Sequence, residues 1–147
     1  MDSDPKPLKY HALIVEDNPE AALLLRHWLQ RLDMMGTIVS VGSAEEAVTY
    51  LNNCIRGEDP ARFVFPSFMI LDLNLPGEHG LDLLQRIKQN EKLKAIPIVV
   101  NTASDKKEDL PEAYRRGGSL FLRKGASKEE FLQMITQMRM SGMIKSS

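Results

Sequence analysis

Four short apolar runs each stop at a residue capable of chemistry, and this placement constrains the fold more than any other feature. His11-Ala-Leu-Ile-Val15 runs into Glu16-Asp17, and Phe68-Met-Ile-Leu71 runs into Asp72. Ile98-Val-Val100 runs into Asn101-Thr102, and Leu120-Phe-Leu122 into Arg123-Lys124. Short Val/Ile/Leu-rich runs separated by helical patterns read as parallel strands buried on both faces. In an open parallel sheet, ligands bind outside the carboxyl ends of the strands, at the topological switch point. The polar residues therefore converge on one edge. Three carboxylates crowded beside an ammonium and a hydroxyl repel one another unless a cation joins them. Hard oxygen ligands with room left for water suit Mg2+.

The connecting segments carry their own signals. Asn18-Pro19-Glu20 supplies a capping residue, a proline fit for the first helical position and an early acid, and Leu24, Leu25, Trp28, Leu29 and Leu32 recur at helical spacing. Thr37 to Val41 reads as a second strand. Ser43 with Glu46 forms a capping box that opens a helix through Val48, Leu51 and Asn52, and Ser127 with Glu130 opens another through Phe131, Met134, Ile135 and Met138. Leu81, Leu84 and Ile87 mark a helix after the loop bearing Pro76, Gly77 and Gly80. Pro111 fits only a first turn, so the helix before Gly117-Gly118 is expected to start near Leu110. The polar, turn-rich stretch 56–62 reads as an exposed insertion before the third strand. Five strands alternating with five helices require right-handed crossovers and helices on both faces of one parallel sheet. Residues 1–8 are expected to be a flexible arm, 9–140 the folded domain and 141–147 a flexible tail.

Bulk properties exclude several classes. A chain of 147 residues fits one domain, and a net charge of -1 gives no basic footprint for nucleic acid. A single cysteine, Cys54, allows no internal disulfide, which favours a reducing compartment. No stretch approaches a membrane span or a signal-peptide core, so a cytoplasmic domain without membrane contact is expected. His11, His27 and His79 are not spaced as zinc ligands, and His79 reads as solvated loop surface.

With the motifs Leu13-Ile-Val-Glu-Asp-Asn18, Ile70-Leu-Asp-Leu-Asn-Leu-Pro-Gly77, Val99-Val-Asn-Thr-Ala-Ser104 and Phe121-Leu-Arg-Lys124 in this order, the chain resembles the receiver domain of two-component response regulators. The resemblance covers about Tyr10 to Met138 and implies a flavodoxin-like, doubly wound (βα)5 fold with a five-stranded parallel sheet. It implies that Asp72, read as an exposed strand-end carboxylate, accepts a phosphoryl group from a histidine kinase. Asp17, Glu16, Asp72 and the Asn74 carbonyl would hold Mg2+, while Lys124 and the Thr102 hydroxyl would bond phosphoryl oxygens. Thr102 and Phe121 would be the switch pair, remodelling the face made by the fourth helix, fifth strand and fifth helix. Asn74 and Ser104, two positions beyond Asp72 and Thr102, would influence phosphate lifetime. Gly125 replaces the proline that usually follows the lysine, and a trans bond is expected there.

With no output domain in the sequence, the expected function is that of a single-domain response regulator, a phosphoacceptor rather than an enzyme. The long insertion and the missing proline resemble the regulators that partner bacterial phytochrome kinases, and a homodimer through the switch face is expected. Three other readings stand beside it. A phosphorelay intermediate would pass phosphate from Asp72 to a second histidine. An unphosphorylated interaction module would not need the intact acidic set. An aspartyl-phosphate hydrolase would need an acid where Asn74 stands. A dinucleotide-binding protein is disfavoured by the lack of a glycine-rich turn after the first strand.

Overall fold

A computed structural model describes residues 9–103 and 109–146. The elements alternate without interruption. They are β1 (Tyr10–Val15), α1 (Pro19–Leu29), β2 (Met35–Val41), α2 (Ala44–Arg56), β3 (Phe68–Leu71), α3 (Gly80–Gln89), β4 (Ile98–Thr102), α4 (Asp109–Arg115), β5 (Leu120–Arg123) and α5 (Lys128–Met140). The five strands form one parallel sheet in the order β2-β1-β3-β4-β5. The fold is therefore the flavodoxin-like doubly wound sheet, with its switch point between β1 and β3.

Helices α1, α2 and α5 start where the capping residues in the sequence say they should. The Asn18 side chain accepts from the Glu20 and Ala21 N–H groups, Ser43 accepts from Glu46 and Ser127 from Glu130. Alternation along the strands then splits the apolar residues between two layers. Leu13, Val15, Met69, Leu71, Ile98 and Val100 face α2, α3 and α4, while Ala12, Ile14, Phe68, Ile70 and Val99 face α1 and α5. Burial on both faces explains why β3 and β4 read as unbroken apolar runs.

The stretch 56–62 is exposed as read, but the residues that follow it are anchored, and the end of the chain differs from the sequence reading. Tyr50 Oη donates to the Val64 carbonyl at 2.8 Å, and the Phe63 ring lies 5.7 Å from that of Tyr50. Burial pushes the Tyr50 hydroxyl up to about 12, so it stays a donor throughout the physiological range. Ile144, in the segment read as a loose tail, is buried in the α1–α5 layer, because the chain turns at Gly142 (φ 77°) and the Met143 N–H returns to the Met138 carbonyl.

His11 occupies a position that favours its neutral form. Its Nδ1 accepts the Thr37 N–H at 3.0 Å, and a Cβ on Gly36 would come within 2.7 Å of its Cε1. Burial lowers its pKa below 6.5. The unfolded chain therefore takes up the proton first, and the stability present above pH 6.5 is lost as pH falls toward the depressed folded value. Chemical denaturation at about pH 7.5 and about pH 5.5 is expected to show a steeper acid-side loss for the wild type than for His11→Gln. Equal slopes would show that this imidazole is not the group responsible.

Candidate functional site

The carboxyl edge of the sheet is built by backbone pairing that runs one residue past each strand. The Glu16 N–H bonds the Val41 carbonyl at 3.0 Å, the Asp72 N–H bonds that of Val15 at 3.0 Å, and the Lys124 N–H bonds that of Thr102 at 3.1 Å. The residue that ends each run is thus held in register by the neighbouring strand, and its side chain has a fixed origin.

Asp72 is gripped at both oxygens. Oδ1 accepts the Asn74 N–H at 2.9 Å, and Oδ2 accepts from Lys124 Nζ at 2.8 Å. Lys124 Nζ also lies 2.6 Å from Glu16 Oε1, while Glu16 Oε2 accepts the Asn18 N–H at 3.2 Å. Sequence reasoning expected Asp72 to be exposed. Instead it is only 3% exposed and Glu16 only 4%, because the lysine and the loops after β1 and β3 close over them. Asp17 beside them is exposed.

The electrostatics follow from this crowding. Burial raises the Glu16 pKa and the neighbouring Asp72 pushes it the same way, against the opposing effect of Lys124. Burial alone would lower Lys124, but its bonds to Asp72 and Glu16 outweigh that and leave it raised. Glu16, Asp17 and Asp72 each bring one carboxylate oxygen within 4.8 Å of the others. Glu16 Oε1 is buried with no aligned donor, since Lys124 approaches it closely but off the hydrogen-bonding direction. Three hard oxygens against one ammonium, one of them lacking a donor, fit a divalent cation.

Lys124→Gln is expected to remove the counter-charge that two buried carboxylates have among the described residues. Removing one partner of a fully buried pair costs about 3–5 kcal/mol; because Lys124 is partly exposed, about 2–3 kcal/mol is expected. The deficit has a defined pH dependence. A carboxyl whose folded pKa is raised destabilises increasingly as pH climbs through that pKa, so the loss relative to the wild type shrinks on acidification. Denaturant titrations at about pH 7 and about pH 5 check this, and a pH-independent deficit would exclude the charge explanation.

The remaining candidates sit where the motifs placed them, with some differences. Thr102 is buried at the end of β4, next to the Lys124 backbone. Phe121 is half-buried in β5 and packs against the α2–α4 layer. Asn74 is exposed in the loop after β3. Ser104 lies outside the described residues, as does the arm 1–8. Among the described residues every peptide bond is trans, and Gly125 takes φ 96°, a value that glycine adopts readily and other residues rarely. With this turn after it, Lys124 still reaches Asp72. His79, read as loop surface, caps α3: its Nδ1 accepts the Leu81 N–H at 3.1 Å. Sequence reasoning missed Gly80, the first residue of α3, whose Cα packs against the Asp72–Leu73 backbone. The signal was a glycine at a helix start, where close approach is the usual reason.

A carboxylate cluster at the β1/β3 switch point, a lysine bonded into it and a buried threonine on the adjacent strand end define the receiver class of signalling domain. The chain belongs to the response regulator receiver domain family, whose model matches residues 12–136. The probable methanogenesis regulatory protein FilR2 of Methanothrix harundinacea is 33% identical over 127 residues, covering 86% of this chain and 79% of its own. Response regulator Rcp1 of Synechocystis is 29% identical over 123 residues, covering 84% of this chain and 82% of its own. The Mn(2+)-bound form of Rcp1 superposes with a TM-score of 0.73 at 26% identity, over 88% of this chain and 91% of the other. The phosphorylated cyanobacterial phytochrome response regulator RcpA gives 0.74 at 28%, with the same coverage. No helix among the described residues is long and apolar enough to cross a membrane.

Proposed function

We propose that this protein is a response regulator in which Asp72 accepts a phosphoryl group from the phosphohistidine of a histidine kinase. The observation that carries the reading is the state of Asp72: buried, bonded at Oδ1 by the Asn74 N–H and at Oδ2 by Lys124, beside two further carboxylates. In the transfer a carboxylate oxygen forms the new O–P bond, the donor N–P bond breaks, and its electron pair returns to the imidazole. In-line displacement at phosphorus depends on positioning and charge neutralisation more than on covalent help. Glu16, Asp17, Asp72 and the Asn74 carbonyl would hold Mg2+, which when bound supplies positive charge against the phosphoryl oxygens. Lys124, anchored between Glu16 and Asp72, supplies a second positive charge, and the Thr102 hydroxyl a donor.

The donor side has an entrance of suitable character. A groove of about 170 Å3 beside Lys124 is lined by Leu24, Leu25, Trp28 and Ala126, and Leu23 and Leu24 are exposed on α1. An apolar helix surface of a kinase fits such a groove. The likeness to Rcp1 and RcpA supports a kinase of bacterial phytochrome type. Phosphorylation adds about one negative charge and strong acceptor oxygens. Thr102 and Phe121 then transmit the change to the α4-β5-α5 face, where Leu110, Tyr114 and Met140 are exposed and a second copy can dock. Asn74 and Ser104 are small and polar and set no barrier to hydrolytic loss of the phosphate.

Incubation with acetyl phosphate and Mg2+ followed by intact-mass measurement tests the reading. One phosphoryl adduct is expected, absent when Mg2+ is withheld. Failure to take up either acetyl phosphate or beryllofluoride would leave a pure interaction module as the better account.

A further inference from the structure

The aromatic contact between α4 and β5 is not used by the chemistry at Asp72, yet it bears on the residue that would report it. The rings of Tyr114 and Phe121 lie 4.8 Å apart with planes inclined by 30°. Tyr114 is 64% exposed, so the core does not hold it in place. The tip of the Phe121 ring lies close to Gly118, where a Cβ would stand 3.3 Å from Phe121 Cζ and 3.2 Å from Val100 Cγ2. The phenylalanine ring thus meets a bare glycine at its tip and a tyrosine ring beside it, in a half-buried setting.

The end of α4 that carries Tyr114 is itself anchored. Arg116 bonds Glu112 through Nε at 2.7 Å and Asp82 of α3 through Nη1 at 2.9 Å, and the Gly118 N–H returns to the Ala113 carbonyl at 2.9 Å. Tyr114 thus sits on a helix end tied to α3 and to the turn that follows it. Any movement of the Phe121 ring away from this position must break the stack.

We propose that Tyr114 is a latch on Phe121, holding β5 and α4 in the unphosphorylated arrangement and setting how readily the protein switches. The inference rests on the phosphoacceptor reading above and adds a regulatory residue to it. Offset aromatic pairs contribute enough beyond simple burial to bias a two-state equilibrium by about two- to tenfold. While the switched state is the minor one, apparent affinity for a ligand that requires it scales with its population, so the full factor appears in the binding constant.

The test is calorimetric titration of beryllofluoride in saturating Mg2+ into the wild type, Tyr114→Ala and Tyr114→Phe, with thermal melts confirming that each folds. Tyr114→Ala is expected to bind about two- to tenfold more tightly, and Tyr114→Phe, which keeps the ring and loses only the hydroxyl, to match the wild type. Equal or weaker binding by Tyr114→Ala overturns the latch, as does an equal gain in Tyr114→Phe, which would assign the effect to the hydroxyl. A wild type that binds no beryllofluoride overturns the phosphoacceptor reading and the latch together. A wild type that binds, with an unchanged Tyr114→Ala, removes the latch alone.

Discussion

An Asp72→Asn variant is expected to take up no phosphoryl group from acetyl phosphate while folding at least as stably as the wild type in the absence of Mg2+. The two halves of this expectation have one cause. Among the described residues, Asp72 shares its surroundings with Glu16 and Asp17 against the one ammonium of Lys124, and two of the three carboxylates are buried. An amide keeps the shape of the side chain, and its oxygen still accepts the Asn74 N–H that now reaches Oδ1. It removes one negative charge from a cluster with an excess of them and leaves Lys124 paired with Glu16. The amide is, however, a poor nucleophile and a weak ligand for a hard cation. Mg2+ is expected to stabilise the wild type by mass action, about 2.7 kcal/mol at a hundredfold excess over its dissociation constant, and to do much less for the variant. Intact mass and thermal melts with and without Mg2+ read both effects. An adduct that survives in Asp72→Asn would move the acceptor elsewhere.

Gly80→Ala is expected to destabilise the fold, although alanine normally favours a helix over glycine by about 1 kcal/mol. The sign reverses because of what a methyl group would meet. A Cβ at position 80 would stand 2.5 Å from Leu73 Cα, 2.7 Å from the Asp72 carbonyl oxygen and 3.0 Å from Leu73 C. All three are backbone atoms that cannot rotate aside, and the Gly80 N–H is itself bonded to the Leu73 carbonyl at 3.0 Å. Overpacking of this kind costs about 1–3 kcal/mol, and more where backbone must shift. The displaced segment carries Asp72, so the rate of adduct formation is expected to fall along with the denaturation midpoint. A stabilised Gly80→Ala would show that α3 does not approach the β3 end this closely.

The fold was legible because its signals are local. Alternating layers made β3 and β4 continuous apolar runs, and Asn18, Ser43 and Ser127 cap helices at the positions their side-chain chemistry dictates. Boundaries that depend on pairing were less legible. β2 begins at Met35 rather than Thr37 because it pairs with β1 from Tyr10 onward, across an irregularity at Tyr10–Ala12 that no local pattern reveals. The stretch 56–62 is the exposed loop it reads as, while Phe63 just beyond it becomes an anchor only when Tyr50 is placed against it.

The same division holds at the site. The sequence by itself determined which residues stand at the strand ends, because a run of apolar residues long enough for one strand leaves its next residue at the sheet edge. That assigned Glu16, Asp17, Asp72, Thr102 and Lys124 to one edge. Only the tertiary structure decided how they meet. Lys124 reaches Asp72 across 52 positions of sequence, which only the pairing of β3, β4 and β5 in one sheet brings together. The burial of Asp72, the close seat of Gly80 and the stack of Tyr114 on Phe121 arise where separate elements pack. Distances between such elements are set by the summed volumes of the side chains between them, which no single stretch of the chain encodes.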